Sequence, residues 1–143
     1  MHAYFDAKDG NPKVTLDISG TRRNFKKTIS ALLDTGHSGS LSLPILDLIE
    51  IGAKLSGITE AEFANGRTGT VLLFSIKVTI EGKDIDVEAG MIENPKVAEA
   101  IAGLELFSPY VAIIDFKNKG IEFIPEEKLN KKTKNVPKNF SKH

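Results

Sequence analysis

Short strand-forming runs separated by turn signals are the feature that most constrains the fold of this chain. Residues 13–18 alternate apolar with polar side chains, residues 19–21 form a turn signal, and residues 24–29 return as a second strand. A period of two places one face of each strand against a core and the other in solvent. The pattern predicts a β-hairpin at the start of the chain.

A second pair of strands surrounds an Asn-Gly dipeptide. Asn65-Gly66 lies between the strand-forming residues 58–64 and 70–80. This dipeptide between such runs is the strongest short-range hairpin signal. The chain turns again at Gly82 and continues with the alternating residues 85–89. We predict a projecting hairpin followed by a third strand.

Two segments have helical spacing. Pro44 precedes the apolar pattern of residues 45–49, and proline suits the start of a helix. Residues 95–106 place Val97 and Ile101 at helical spacing, although Gly103 interrupts the pattern at a cost of about 1 kcal/mol relative to alanine. We predict a helix in each segment.

The last part of the folded region reads as a closing hairpin. Residues 110–115 and 121–124 are strand-forming, and residues 118–120 form the turn between them. Many short strands with little helix are typical of a closed or nearly closed β-barrel. We therefore predict an all-β single domain, a closed barrel with one or two short helices.

Composition places the chain among globular proteins. It has 143 residues, 41% hydrophobic and 27% charged, which suits one domain with one core. It has no apolar run long enough to span a bilayer, and its start resembles no secretory signal. We predict a cytoplasmic protein without a membrane partner. The absence of cysteine excludes disulfides, a thiol nucleophile and a cysteine-type zinc site.

Charge divides the chain into two parts. Residues 1–127 hold 13 basic residues against 19 acidic residues, a net charge of −6, whereas residues 128–143 hold six lysines and no acid. A basic segment with almost nothing to bury is expected to be disordered. We predict a domain over residues 1–127 and a basic, solubilising tail over residues 128–143. Nucleic acid is not an expected partner.

One tripeptide is a candidate catalytic motif. Asp34-Thr35-Gly36 directly follows the apolar residues 31–33. An acid that leaves a strand into a tight glycine-containing turn is held rigidly at the floor of a cleft, which suits acid/base catalysis. The alternative is an ordinary turn at a strand end, because Asp and Gly are common turn residues.

The order of these features resembles the retropepsin-like aspartic proteases, which include retroviral proteases and small bacterial and archaeal relatives. The resemblance covers roughly residues 12–125. The matching segments are the strand into Asp34-Thr35-Gly36, residues 41–44, the hairpin at Ala64, Asn65 and Gly66, the apolar-apolar-Gly motif of Ile101, Ala102 and Gly103, and residues 114–119.

The resemblance implies an aspartic endopeptidase that acts as a homodimer on a peptide or protein substrate. Two carboxylates that share one proton activate a water, because two like charges so close cannot both be ionised cheaply. The chain has a single Asp-Thr-Gly, so each subunit would contribute one Asp34 to a symmetric dimer. The implied support comes from Thr35 and Gly36, and the hairpin at Ala64, Asn65 and Gly66 corresponds to the flap.

His37 departs from the family pattern. Ala or Ser is usual after Asp-Thr-Gly in this family, and here His37 and then Ser38 complete the active-site segment. A cation close to the pair would favour the ionised carboxylates and weaken the acid half of the mechanism. The other interpretation has the His37 side chain pointing to solvent without effect.

Two rival functions are considered. Residues 36–40 come close to the nucleophile elbow of serine hydrolases, but Ser40 stands where the second glycine is required. No residue pattern indicates a metal site or a cofactor, and neither is expected. Asp86 and Asp115 are interpreted as solvated or edge residues and not as a second catalytic acid. The second rival is a catalytically inactive retropepsin-fold module for dimerisation or peptide binding.

Overall fold

The computed structural model describes residues 1–21 and 25–128, which form ten strands and two short helices. The strands are β1 (His2–Phe5), β2 (Pro12–Gly20), β3 (Lys26–Leu33), β4 (Leu41–Pro44), β5 (Lys54–Glu62), β6 (Thr68–Ile80), β7 (Lys83–Ile92), β8 (Ala100–Ala102), β9 (Tyr110–Asp115) and β10 (Gly120–Pro125). The helices are α1 (Ile45–Glu50) and α2 (Leu104–Phe107). The predicted basic tail lies, apart from Lys128, outside the described residues.

Six of the strands close into a barrel. The main sheet has the order β1, β2, β3, β8, β4, β7, β6, β5. β2 also pairs with β6, and this pairing closes the six strands β2, β3, β8, β4, β7 and β6 into a ring. β3 pairs with β8 in parallel, and so does β4 with β7. β9 and β10 form a separate two-stranded sheet. The predicted all-β class with a closed barrel is confirmed.

Alternating apolar side chains fill the barrel. Val14, Leu16 and Ile18 on β2 are at most 1% exposed, and Ile76 and Val78 on β6 are fully buried. Each buried side chain of this size stabilises the fold by about 1.5–3 kcal/mol. The alternation in the sequence therefore sets which face of each barrel strand meets the core.

The predicted hairpins are present, and their turns differ in length. Between β6 and β7, Glu81 and Gly82 have φ values of 52° and 75°. Two positive φ values give the two-residue turn whose twist matches the flanking strands. Between β5 and β6, the Gly66 N–H donates to the Phe63 carbonyl oxygen at 2.9 Å, and Gly66 has a φ of 76°. This loop is the longer type that ends in a left-handed residue.

The helix predictions had different outcomes. α1 follows Pro44 as predicted, but the helix predicted over residues 95–106 is wrong. That segment instead contains β8 and only the beginning of α2. The three residues of β8 pair with both β3 and β4, so sheet pairing in the core overrides the helical spacing. Neither helix is long and apolar enough to cross a membrane, and the described residues offer no other candidate.

A lysine at the start of β2 gathers three carboxylates. The Lys13 side chain is only 9% exposed, and its Nζ lies 2.8 Å from Asp6 Oδ2, 2.8 Å from Asp9 Oδ2 and 3.1 Å from Glu99 Oε2. Hydrogen bonds from Lys13 hold the pKa of Asp6 and the pKa of Asp9 below their usual value of 3.8. The cluster ties the β1–β2 loop to the segment before β8.

The cluster predicts how stability depends on pH. A carboxyl whose pKa is lower in the folded state stabilises the fold above its unfolded pKa and loses that effect as the pH falls through the folded value. We expect Lys13→Met to lower the thermal unfolding midpoint at pH 7 and to flatten its fall below about pH 4. Lys77→Met is the control, because Lys77 pairs with the 81% exposed Asp86. Equal effects of the two substitutions would contradict this role of Lys13.

Candidate active site

The Asp34 turn is fixed by backbone hydrogen bonds on both sides. The Asp34 N–H donates to the Ala102 carbonyl oxygen at 3.0 Å, and the His37 N–H donates to the Asp34 carbonyl oxygen at 3.2 Å. The Gly36 N–H donates to Asp34 Oδ1 at 2.9 Å. A Cβ on Gly36 would lie 3.2 Å from the same oxygen, so a side chain there would press on the carboxylate. The half-buried Asp34 carboxylate is thus held in one orientation beside the exposed Thr35.

The second predicted motif lies directly beside this turn. β8 runs parallel to β3, with Ile101 paired to Leu32 and Ala102 to Leu33. The Gly103 N–H then donates to the Ser40 carbonyl oxygen at 2.9 Å. The structure therefore brings together Asp34 and the residues Ile101, Ala102 and Gly103, which are far apart in the sequence.

Gly103 is required where the two motifs touch. A Cβ at this position would clash with the carbonyl oxygen of Gly39 and would lie 2.6 Å from the carbonyl oxygen of His37. We expect Gly103→Ala to lower the free energy of unfolding by about 1–3 kcal/mol, since backbone atoms must move to admit the methyl group. Gly120→Ala is the matched control, because nothing lies within 4 Å of a Cβ there. Chemical denaturation that finds both variants equally stable would contradict this packing.

The His37 side chain turns inward. Its ring is half-buried, and Nε2 lies 3.3 Å from Ser42 Oγ on β4. The interpretation that the ring points to solvent is therefore wrong. No hydrogen bond or ion pair joins the ring to the Asp34 carboxylate in the part of the chain that the structure describes. The hydrogen bond between His37 and Ser42 instead links the Asp34 turn to β4.

A double-mutant cycle tests this link. We expect His37→Ala and Ser42→Ala each to lower the free energy of unfolding, with a coupling of about 0.5–1.5 kcal/mol between them, as for one intramolecular hydrogen bond. Additive effects in urea denaturation would show that the two side chains do not interact.

A groove lies between the β5–β6 hairpin and the segment that follows Asp34. Its volume is about 1080 Å³. One side is formed by residues 36–42 and the other by residues 59–63 of the hairpin, while β6 and β7 contribute Val71, Leu73 and Met91. The predicted flap residues Ala64, Asn65 and Gly66 form the hairpin tip beyond the groove lining. Within the hairpin, the ring of Phe63 covers Gly69.

Asp34 itself lines a smaller neighbouring cavity. This cavity has a volume of about 240 Å³ and lies beside the groove, with Thr35, Gly103 and Leu104 also in its wall. Leu104 is 50% exposed although it is apolar. No group of three or more potential metal ligands occurs among residues 1–21 and 25–128. The turn from Asp34 to His37 thus contributes to both recesses: Asp34 and Thr35 line the smaller cavity, and Gly36 and His37 line the groove.

Sequence reasoning missed several residues of the groove. Phe63 and the acids of β5 and β7 line it, but only their proximity to the Asn65-Gly66 hairpin could have drawn attention to them. Ser38 is exposed and lines the groove.

Comparison with solved structures shows a retropepsin-like fold. EIAV protease, a retroviral enzyme solved with the inhibitor HBY-793, aligns with 72% of this chain and 90% of its own length, at a TM-score of 0.52 and 15% identity. At this identity the likeness shows the fold alone. A Legionella pneumophila protein of unknown function aligns with 66% of this chain and 83% of its own length, at a TM-score of 0.34 and 18% identity. No protein-family model and no curated protein matches the chain.

Proposed function

We propose that the protein is an aspartic endopeptidase that acts as a homodimer, with one Asp34 from each chain at the catalytic centre. The observation that carries the proposal is the placement of Asp34 at the end of β3, where its carboxylate is oriented by the Gly36 N–H in a retropepsin-like barrel. The same proposal assigns the protein to the small cellular type of retropepsin-like protease, found in bacteria and archaea, and places it in the cytoplasm. No cofactor takes part.

The chemistry needs two carboxylates and one water. The ionised Asp34 takes a proton from the water as its oxygen attacks the scissile carbonyl carbon, while the protonated Asp34 of the other chain donates a hydrogen bond to the carbonyl oxygen. The tetrahedral intermediate then breaks its C–N bond, and the amine leaves with a proton from the pair. The products are a carboxylate and an amine.

Exposed apolar surface beside Asp34 supports a partner at this place. Leu104 is half exposed in the same recess as Asp34 and Thr35. Thr35 is exposed, so its hydroxyl is available to a second chain. A two-fold axis next to this turn would bring the two copies of Asp34 together, because the same patch meets itself in such a dimer.

The β5–β6 hairpin is proposed as the flap. The groove beneath it has a volume of about 1080 Å³, and β5, which pairs with β6, is not one of the six barrel strands. A peptide there would pair its backbone with the hairpin, which would close and exclude water. Ala64, Asn65 and Gly66 would form the moving tip, since Gly66 occupies the left-handed region that a tight loop needs.

One observation favours an inactive peptide-binding module as the second candidate. Asp34 does not line the groove in the single chain, whereas Gly36 and His37 do. A peptide could therefore occupy the groove without reaching the carboxylate. Binding without hydrolysis would be the signature of this alternative.

Cleavage in the presence of hydroxylamine tests the proposed mechanism. An unstructured peptide mixture is incubated with the protein at mildly acidic pH, and the new termini are identified by mass spectrometry. We expect new carboxylate termini and no hydroxamate, because water attacks directly and no acyl-enzyme forms. Hydroxamate termini would indicate a covalent serine mechanism and contradict the proposal.

A further inference from the structure

The His37 side chain has one polar atom without a partner. The ring lines the groove, and its Nε2 lies 3.3 Å from Ser42 Oγ. No hydrogen bond or ion pair within residues 1–21 and 25–128 involves Nδ1. Every buried side-chain nitrogen or oxygen in those ranges has a hydrogen-bond partner, so Nδ1, which has none, is accessible. The ring therefore offers one unused hydrogen-bonding atom.

Two glycines fix the direction in which this atom points. A Cβ on Gly103 would lie 2.5 Å from Cδ2 of the ring, and a Cβ on Gly39 would lie 3.3 Å from Nε2. The ring thus packs against the backbone of both residues, and Nδ1 lies on the edge opposite Cδ2, away from Gly103. Since His37 lines the groove and not the smaller cavity, this accessible edge faces the groove.

The chemistry of Nδ1 suits a peptide backbone. A neutral imidazole has one donor and one acceptor nitrogen. If the Ser42 hydroxyl donates to Nε2, Nδ1 carries the proton and donates, and if Nε2 donates to Ser42, Nδ1 accepts. An extended peptide presents N–H and C=O groups along its whole length, so either form of the ring finds a partner whatever the peptide's side chains are.

We propose that His37 is a substrate-binding residue, whose Nδ1 forms a hydrogen bond with a backbone amide of an extended peptide in the groove while Ser42 holds the ring through Nε2. The inference rests on the proposed function, since it concerns the same site. The His37 N–H donates to the Asp34 carbonyl oxygen at 3.2 Å, so this contact would fix the bound peptide relative to the Asp34 turn. It also gives a role to the residue at which the sequence departs from the family pattern.

Two amide side chains test the two ring nitrogens separately. Asparagine brings its amide close to the position of Nδ1, whereas glutamine brings its amide close to the position of Nε2. We expect His37→Gln to raise KM for peptide cleavage roughly 2- to 10-fold, with kcat changed by less than about twofold, as for one neutral hydrogen bond made equally in the ground and transition states. His37→Asn should restore most of this loss.

The stability of the same variants is expected to follow the opposite order. Glutamine can keep the hydrogen bond to Ser42, whereas asparagine is too short to reach it, so His37→Gln should unfold at the higher urea concentration. A residue that only supports the fold would make KM follow stability. His2→Gln is the control, because His2 is exposed on β1 and lines neither recess. We expect it to match the wild type in both measurements.

Peptides of different sequence test the backbone contact. Three cleaved peptides with different side chains are compared in the wild type and in His37→Gln. We expect KM to rise by the same factor, within about twofold, for all three, because each presents the same amide groups to the ring. A loss confined to one peptide would overturn the assignment to the backbone.

The outcomes separate this inference from the proposed function. If KM follows stability, or if the glutamine and asparagine variants have the same KM, the inference is overturned and the protease proposal stands. If no peptide is cleaved, the protease proposal fails, and fluorescence anisotropy with the labelled peptides decides the inference. A dissociation constant raised in His37→Gln and restored in His37→Asn supports it, whereas equal binding by the two variants, or no binding, overturns it.

Discussion

Replacing Asp34 by asparagine is expected to lower kcat/KM for peptide cleavage by roughly 1000-fold or more, because one positioned acid or base alone contributes about 10²–10⁴-fold. Both members of the pair would be lost at once in a symmetric dimer. The fold should survive, since the asparagine carbonyl oxygen can still accept the hydrogen bond from the Gly36 N–H. Circular dichroism and peptide cleavage are measured on the same preparation.

The matched control for this substitution is Asp115→Asn. Asp115 lies at the end of β9, where its Oδ1 accepts a hydrogen bond from the Asn118 N–H at 2.9 Å. An asparagine can accept the same bond, so this variant tests the loss of a carboxylate outside the site. We expect Asp115→Asn to retain wild-type cleavage. Equal cleavage by Asp34→Asn and the wild type would refute the assignment of Asp34.

Replacing Leu104 by lysine is expected to weaken the dimer by about 2–4 kcal/mol, roughly 30- to 1000-fold in Kd, because each subunit brings an unpaired charge into a two-fold contact. Leu104 is 50% exposed beside Asp34, so the monomer should fold as before. Sedimentation equilibrium measures the dissociation constant directly.

Leu46→Lys controls for the loss of an exposed apolar side chain. Leu46 is 68% exposed on α1 and lines neither recess. We expect this variant to dimerise like the wild type. An unchanged dissociation constant for Leu104→Lys, or an equal loss in the two variants, would place the subunit contact elsewhere.

Much of the fold could be predicted from the sequence because its signals are local. The alternation in β2 follows from a period of two, and Pro44 and Asn65-Gly66 mark a helix start and a hairpin through their own backbone preferences. The helix predicted over residues 95–106 is wrong because helical spacing over a short apolar segment also suits a buried strand. β1 was not predicted, since its four residues gain their structure by pairing with β2.

The sequence predicted the separate motifs of the candidate site but not how they contact one another. Asp34 and Gly103 each belong to a recognisable motif, but their contact depends on the parallel pairing of β3 with β8. The hydrogen bond between His37 and Ser42 likewise depends on where β4 enters the barrel. The groove lining combines residues 36–42 with residues of the β5–β6 hairpin and of β7, and no local pattern in the sequence states which strands face each other.

Subunit mixing tests the central claim most directly, namely that each chain gives one Asp34 to a shared catalytic centre. A fixed amount of wild-type protein is equilibrated with increasing Asp34→Asn protein, and cleavage per wild-type chain is measured. Random pairing predicts a fall to about half at equal amounts and to about one eleventh at a tenfold excess, because mixed dimers hold a single carboxyl pair member. Cleavage that stays constant across the whole titration would contradict the account.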